Sequence, residues 1–217
     1  MASNLLPAAA TLFLLLLTLT ASDMDSDLVL DIDGDPLEVG SEYYIHAATL
    51  PQVIGRSARE YRPGKVYCPL FAIGVPGHFN GGVPVKFEPV NKTQKQIHLS
   101  SEVHINSGFS IDCDDDGLWR MKFDALSRGF AVIASGAPNV PRGAFTIQKI
   151  DDPEEFEIMR AYVFGYFLGQ PISPGSGYLS VVDDFVSPLP LLGVTNDPDE
   201  ALKVVFVKYK KDGVATI

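Results

Sequence analysis

The chain reads Val-Leu-Asp-Ile-Asp-Gly-Asp-Pro-Leu at residues 29–37, and a run with strand composition, Tyr43–Ala47, follows shortly after it. Asp, Gly and Pro at 33–36 are turn formers. Glycine reaches backbone angles that other residues avoid, and proline fixes its own φ angle at a value that suits a turn. Apolar, β-branched and aromatic residues on either side favour extended chain. The stretch therefore predicts short strands joined by a tight turn.

The same alternation of short strand signals and turn clusters continues to the end of the chain. The 217 residues include 19 Gly and 16 Pro, and this content is typical of a protein built from strands and turns. About a dozen such segments without a flexible linker predict one all-β domain, either a barrel or a sandwich. The predicted strands are Leu28–Asp31, Tyr43–Ala47, Leu70–Gly74, Val83–Phe87, Ile97–Ser100, Val103–Ile105, Leu118–Phe123, Phe130–Ala134, Ala144–Ile150, Ile158–Phe167, Leu179–Val182, Leu191–Val194 and Val204–Tyr209.

Composition excludes several classes of partner and cofactor. The net charge of −10 argues against nucleic acid, whose phosphate backbone requires clustered Lys and Arg. Only two cysteines occur, Cys68 and Cys113, and they stand too far apart for a zinc site of the Cys₄ or Cys₂His₂ type. They form either a disulfide or two buried thiols, and we expect no cofactor and no metal.

The N-terminus predicts entry into the secretory pathway. Residues 5–21 carry no charge, include Leu12–Leu17, and are followed at once by Asp23. The stretch is shorter than the ~20 residues that span a bilayer, so we interpret residues 1–22 as a cleaved signal peptide rather than an anchor. Residues 23–217 then form the single mature domain, secreted or vacuolar, with no membrane contact after signal removal.

The sequence contains neither an enzymatic motif nor a complete calcium-binding loop. None of the four histidines lies in a nucleophile or zinc motif, so we predict a protein that is not an enzyme. Asp31, Asp33, Asp35 and Glu42 have the spacing of a calcium loop, but Pro36 occupies the place where that loop needs glycine. The acidic run at 112–116 is more simply a solvated loop.

A series of short elements along the whole mature chain has the order of a known family. The elements are, in order, 29–37, Gly40 with 43–45, Cys68-Pro69-Leu70, 82–87, Cys113, Trp119, 145–149 and 204–208. Together they resemble the plant Kunitz-type (soybean trypsin inhibitor) family, over roughly Val29 to Tyr209. The resemblance implies a β-trefoil of twelve strands in three repeats, a six-stranded barrel closed by hairpins. It further implies that Cys68 pairs with Cys113 and that Tyr43, Phe87, Trp119 and Phe206 are core residues.

The resemblance also implies where function lies. Inhibitors in this family present an extended loop to a serine protease, and a rigid scaffold holds the loop ready to bind. That loop corresponds here to residues 87–97, with the contact residues Pro89, Val90, Asn91, Lys92, Thr93, Gln94 and Lys95. Counting from Pro89 places the primary specificity residue at Asn91; a shift of one residue makes it Lys92, which suits an acidic pocket, and Lys95 is a weaker choice.

Two departures from the family pattern support a second interpretation. Asn91-Lys92-Thr93 is an N-glycosylation sequon, and Val39 stands where the family has an asparagine that braces the loop. The main hypothesis, which follows from the family resemblance, is a monomeric inhibitor of a secreted or digestive serine protease, acting in plant defence. The alternative is a trefoil that does not inhibit and serves as a small-ligand-binding, carbohydrate-binding or storage protein.

Overall fold

The computed structural model describes residues 27–49, 51–58, 67–76, 82–108, 113, 116–126, 129–150, 161–167, 176–182 and 189–210. Twelve β-strands and one 3-10 helix, Pro198–Glu200, lie within these ranges. The strands are β1 Glu42–Ala47, β2 Gln52–Ala58, β3 Leu70–Pro76, β4 Val85–Pro89, β5 Glu102–Asn106, β6 Arg120–Asp124, β7 Gly129–Ser135, β8 Phe145–Lys149, β9 Tyr162–Phe167, β10 Ser176–Val182, β11 Leu191–Thr195 and β12 Val204–Lys208.

Six of these strands close into a barrel. Strand β1 pairs with β12, β12 with β9, β9 with β8, β8 with β5, β5 with β4, and β4 returns to β1, all antiparallel. Strands β1 and β4 alternate strictly between buried and partly exposed residues. Since successive side chains of a strand point to opposite faces, this period of two places one face of each strand in the barrel interior.

The other six strands form three hairpins, β2–β3, β6–β7 and β10–β11. The hairpins also pair with one another in a triangle, because β3 contacts β7, β7 contacts β11 and β11 contacts β3. A six-stranded barrel covered by three hairpins in pseudo-threefold arrangement is a β-trefoil. The predicted all-β class and trefoil architecture are confirmed.

Aromatic side chains fill the barrel. The ring centroid of Phe206 lies 5.3 Å from that of Phe87 and 5.9 Å from that of Phe164, and Tyr43 lies 6.3 Å from Phe87. All four residues are almost completely buried. Each side chain of this size contributes roughly 1.5–3 kcal/mol when removed from water. The prediction that Tyr43, Phe87 and Phe206 are core residues is confirmed.

Trp119 is also a core residue, as predicted, and lies 1% exposed. Its ring packs edge-on against Phe145, with centroids 6.1 Å apart. The indole N–H donates to the buried hydroxyl of Ser107, so the polar group of the tryptophan is satisfied inside the core.

A disulfide joins Cys68 to Cys113, with the two Cα atoms 5.7 Å apart, as the family resemblance implies. Gly136 packs directly against this bond. A Cβ at that position would stand 2.9 Å from the Cβ of Cys68, and the residue has a φ of +86°. Both the contact and the backbone angle therefore require glycine here.

The structure differs from the predicted strands at three places. Strand β2 has no counterpart among the predicted segments, because Gly55 and Arg56 interrupt its apolar pattern. The segments 28–31 and 97–100, both predicted as strands, form only isolated bridges, Leu28↔His98 and Leu30↔Pro36. The predicted signal peptide, residues 1–22, lies outside the described residues, and none of the described helices could span a membrane.

Candidate functional site: the loop between strands β4 and β5

The predicted contact loop leaves the barrel after β4 and returns to it before β5, and the barrel anchors it on both sides. On the outgoing side, the N–H of Val90 donates to the carbonyl of Glu102 at 2.9 Å. On the returning side, the carbonyl of Lys95 accepts from the N–H of Val39, also at 2.9 Å. Because both ends are held by main-chain hydrogen bonds, the ends would stay in place if the loop were cut between them.

The returning side continues beside the N-terminal segment. Residues 27–29 and 37–39, on either side of the turn at 31–35, run antiparallel to residues 95–99 and are joined to them by further main-chain hydrogen bonds. The donor–acceptor pairs are Ile97 N to Leu37 O, Val29 N to Ile97 O and Leu99 N to Asp27 O, at 2.8–2.9 Å. The N-terminal segment therefore holds the returning side of the candidate loop in place.

Val39 takes part in this anchoring through its backbone alone. Its side chain is 39% exposed and offers no hydrogen-bonding group, so the family's side-chain brace is absent, as the sequence indicates. The main-chain bond to Lys95 was not foreseen, because a backbone contact of this kind leaves no trace in the identity of the residue. The loop therefore retains one support at this position.

The tip of the loop is a turn and is not extended throughout, which corrects the expectation drawn from the family. The side-chain oxygen Oδ1 of Asn91 accepts from the N–H of Thr93 at 3.2 Å and from its hydroxyl at 2.9 Å. The N–H of Gln94 donates to the carbonyl of Asn91 at 3.3 Å. Asn side chains commonly close turns by binding the backbone two residues on, and the choice of Asn at 91 explains the bend.

Lys92 projects from this turn. Its side chain is 72% exposed, and its Nζ lies 3.8 Å from Oε2 of Glu88. The second carboxylate oxygen of Glu88, Oε1, accepts from Nδ2 of Asn106 on β5 at 2.9 Å. Glu88 and Asn106 were not singled out from the sequence; the spacing of four residues between Glu88 and Lys92 was the available signal.

The other predicted contact residues occupy different environments. Pro89 is buried at the end of β4 opposite Val103, whereas Val90 is 43% exposed. Thr93 and Lys95 are exposed and Gln94 is partly buried. The exposed surface of the loop thus comprises Val90 to Thr93 together with Lys95, and Pro89 acts as part of the scaffold.

A salt bridge flanks the returning side of the loop. Nζ of Lys208 lies 3.0 Å from Oε2 of Glu38, the neighbour of Val39. The hydrogen bond from Lys208 lowers the pKa of the Glu38 carboxyl, and the same bond raises the pKa of Lys208. The N–H of Glu38 donates to the buried hydroxyl of Tyr43, whose pKa is raised by its burial. These contacts fasten the N-terminal segment to the barrel.

The acidic motif at 31–35 has a structural role. Asp31 is 1% exposed, and its Oδ1 accepts from the N–H groups of Asp33 and Asp35, each at 3.0 Å. The carboxylate thus closes the turn that the opening stretch predicts. No cluster of three or more metal-ligating side chains occurs among the residues that the structure describes.

A β-trefoil that presents an exposed loop held at both ends defines a class of binding proteins, and comparisons with known proteins place the chain within it. The family model described as trypsin and protease inhibitor, Kunitz type of legumes, matches residues 29–208. The chain belongs to this Kunitz family of protease inhibitors. The family model describes protease inhibitors, and the chain is accordingly not an enzyme.

Individual relatives agree with this assignment. Kunitz-type trypsin inhibitor 1 of Selenicereus undatus is 30% identical over 170 residues, which cover 78% of this chain and 95% of the relative. Its namesake from Selenicereus costaricensis is 35% identical over 105 residues, 48% of this chain and 62% of that protein. Miraculin of Synsepalum dulcificum is 29% identical, over 71% of this chain and 69% of its own length.

Solved structures share the fold. Soybean trypsin inhibitor superposes with a TM-score of 0.68 at 20% identity, covering 85% of this chain and all of that one. The water-soluble chlorophyll protein of Brassica oleracea superposes with a TM-score of 0.66 at 23% identity, over 85% of this chain and 99% of that one. At this identity the likeness supports the trefoil alone.

Proposed function

We propose that the mature protein inhibits a trypsin-like serine protease, with Lys92 as the primary specificity residue. The observation that carries the proposal is the loop itself: an exposed lysine stands on a turn whose two flanks are hydrogen-bonded to the barrel. An acidic specificity pocket binds a lysine ammonium, and the relatives named as trypsin inhibitors support a target of this kind. Val90 and Thr93 would fill the subsites on either side.

The anchored flanks supply the physical reason for inhibition. A loop that is already ordered loses little conformational entropy when it binds. If the protease cuts after Lys92, the hydrogen bonds at Val90 and Lys95 hold the new ends near each other, so the bond reforms more readily than the ends separate. The protease would then remain occupied by an inhibitor that behaves as a very slow substrate.

The test is a titration of trypsin with disulfide-bonded protein starting at residue 23 and made without glycosylation. We expect loss of protease activity at a near-stoichiometric ratio, with Lys92→Arg retaining inhibition. Lys92→Ala should weaken inhibition by roughly thirtyfold or more, because a charged pair desolvated at the centre of an interface costs ~2–5 kcal/mol when one partner is removed. Lys95→Ala is the matched control, since it removes the same charge from the same loop, and should have little effect.

Two outcomes would contradict the proposal. Undiminished inhibition by Lys92→Ala would move the specificity residue elsewhere, with Lys95 and Asn91 the next variants to compare. Full trypsin activity in excess protein, with the chain cut after Lys92, would favour the alternative of a trefoil that no longer inhibits and serves in binding or storage. The turn at Asn91 and the missing side-chain brace at Val39 are the observations that favour that alternative.

We further propose that the protein is secreted, that residues 1–22 are removed on the way, and that it acts as a monomer outside the cell or in the vacuole. The uncharged N-terminal stretch and the disulfide support this route, because disulfides persist in oxidising compartments. On the same route Asn91 would receive an N-linked glycan. Its side chain is exposed, and Thr93 contacts it within the sequon.

A further inference from the structure

We propose that Glu88 is a specificity-determining residue: it holds the Lys92 ammonium in the free protein and competes with the carboxylate of the protease pocket for it. This inference rests on the proposed function, because it assigns a role to Glu88 only if Lys92 enters that pocket. The competition lowers the affinity for any protease whose pocket takes up Lys92, and it disappears when residue 92 is neutral.

The position of the Glu88 carboxylate is fixed independently of the loop. Oε1 accepts from Nδ2 of Asn106 at 2.9 Å, and Oδ1 of Asn106 accepts from the N–H of Gly108 at 2.8 Å. Glu88 also lies directly opposite His104 on β5, whose Nδ1 is in hydrogen-bond contact with the carbonyl of Gly143 at 2.7 Å. The carboxylate is therefore oriented by the barrel, and its second oxygen, Oε2, is directed toward the loop.

The ammonium group of Lys92 forms a loose ion pair with this oriented carboxylate. The distance of 3.8 Å between Nζ and Oε2, with 72% of the lysine side chain exposed, describes an ion pair in contact with water. Such pairs are weak and are screened by salt. The lysine can therefore leave Glu88 for a protease, but it must give up the pair to do so.

The size of the effect follows from the strength of exposed pairs. Measured couplings of this kind correspond to roughly a two- to fivefold change in an equilibrium constant. A neutral side chain at position 92 would have no pair to break, so Glu88 affects binding only when residue 92 carries a positive charge. This selectivity distinguishes a competing residue from one that merely shapes the loop.

The variant Glu88→Gln tests the inference, because its amide oxygen can still accept from Asn106 while its charge is gone. We expect the inhibition constant against trypsin to fall by roughly two- to fivefold. Asp199→Asn, an equal charge change on the exposed 3-10 helix, is the matched control and should leave the constant unchanged. In a Lys92→Met background, measured against chymotrypsin, Glu88→Gln should have no effect.

A measurement on the free protein separates this inference from the proposed function. The side-chain carboxyl carbon resonance of Glu88 should move in Lys92→Met at low salt, and the difference should shrink at high salt. An unchanged resonance, or an unchanged inhibition constant against trypsin in Glu88→Gln, would overturn the inference. The effect of Lys92→Ala on trypsin inhibition would still test the proposed function. Weaker inhibition by Glu88→Gln in both backgrounds would also overturn it, since Glu88 would then position the loop.

Discussion

At the scale of single residues, Asn91 determines the state of the loop. Its Oδ1 accepts both donors of Thr93, and this contact bends the chain into the turn from which Lys92 projects. A glycan would attach to the other end of the same amide, at Nδ2, so the turn and the glycan are compatible. A branched sugar next to Lys92 would stand between that lysine and any pocket. One side chain would thus present the proposed specificity residue and, once modified, would cover it.

We predict that protein secreted from a eukaryotic host carries a glycan on Asn91 and inhibits trypsin at least tenfold more weakly than the same chain made in bacteria. The reason is steric exclusion, and a tenfold change corresponds to about 1.4 kcal/mol of binding free energy. Mass spectrometry of the peptide that contains Asn91 measures the glycan, and titration of trypsin measures the strength of inhibition. Asn91→Asp, secreted from the same host, keeps an acceptor oxygen for Thr93 and lacks the glycan, and should restore inhibition. Equal inhibition by glycosylated protein would contradict the assignment of the loop.

At the scale of elements, a charged cluster fastens the start of β6 to neighbouring loops. Arg120 is 4% exposed, and its guanidinium donates to the carbonyls of Val140 at 3.0 Å and Leu118 at 2.7 Å. Asp116 accepts from Arg120 at 2.8 Å and pairs with Arg142 at 3.1 Å. Because Arg120 is buried and charged, the carboxylate of Asp116 helps to compensate the cost of burying it.

This cluster predicts a loss of stability in acid. Burial acts to raise the pKa of Asp116, but hydrogen bonds from Arg120 and from the Leu118 N–H and the charges of Arg120 and Arg142 outweigh it and lower the pKa below 3.8. A lowered pKa stabilises the fold above pH 3.8, and the contribution is lost as pH falls through the lower, folded value. Chemical unfolding between neutral pH and pH ~2 should show this loss as a reduced midpoint.

The matched variant for this measurement is Asp116→Asn. It should lower the free energy of unfolding at neutral pH by about 1–3 kcal/mol, since hydrogen bonds to a charged partner are weakened. Below the folded pKa the variant and the native protein should converge. A constant difference across the pH range would show that the carboxylate charge does not support Arg120.

At the scale of the whole molecule, the trefoil is held by pairings between distant parts of the chain. Strand β1 pairs with β12 from Tyr43↔Lys208 to Ala47↔Val204, which joins the first repeat to the last. The disulfide links the segment before β3 to the loop between β5 and β6, across a sequence separation of 45 residues. The barrel strands hold the anchoring points of the candidate loop, and the disulfide joins two segments outside the barrel.

We predict that removing the disulfide in the double variant Cys68→Ser, Cys113→Ser lowers the free energy of unfolding by roughly 4 kcal/mol. The value is the loop-closure entropy for a loop of this length. Denaturant unfolding followed by fluorescence of Trp119, the single tryptophan of the chain, measures it directly. A serine at only one of the two positions should cost as much, since either change breaks the bond. Unaltered stability in the double variant would show that the barrel alone limits unfolding.

Much of the fold and the position of the site could be predicted from the sequence. The turn residues at 33–36, the alternating patterns of β1 and β4, the aromatic core and the cysteine pair are properties that neighbouring residues or family resemblance reveal. The location of the loop after Pro89 and the candidate Lys92 followed in the same way. These features depend on short stretches of chain, whose backbone preferences and period of burial can be read locally.

Other features depended on the tertiary structure, because they arise where distant residues meet. The contact of Glu88 with Asn106 needs the pairing of β4 with β5, and the bond from Val39 to Lys95 needs the N-terminal segment to lie beside the loop. Asp31 became a buried turn residue only once the barrel covered it. Sequence by itself determined most of the strands and turns and predicted the candidate loop after β4. The tertiary structure decided what orients that loop, because hydrogen bonds and ion pairs form between neighbours in space.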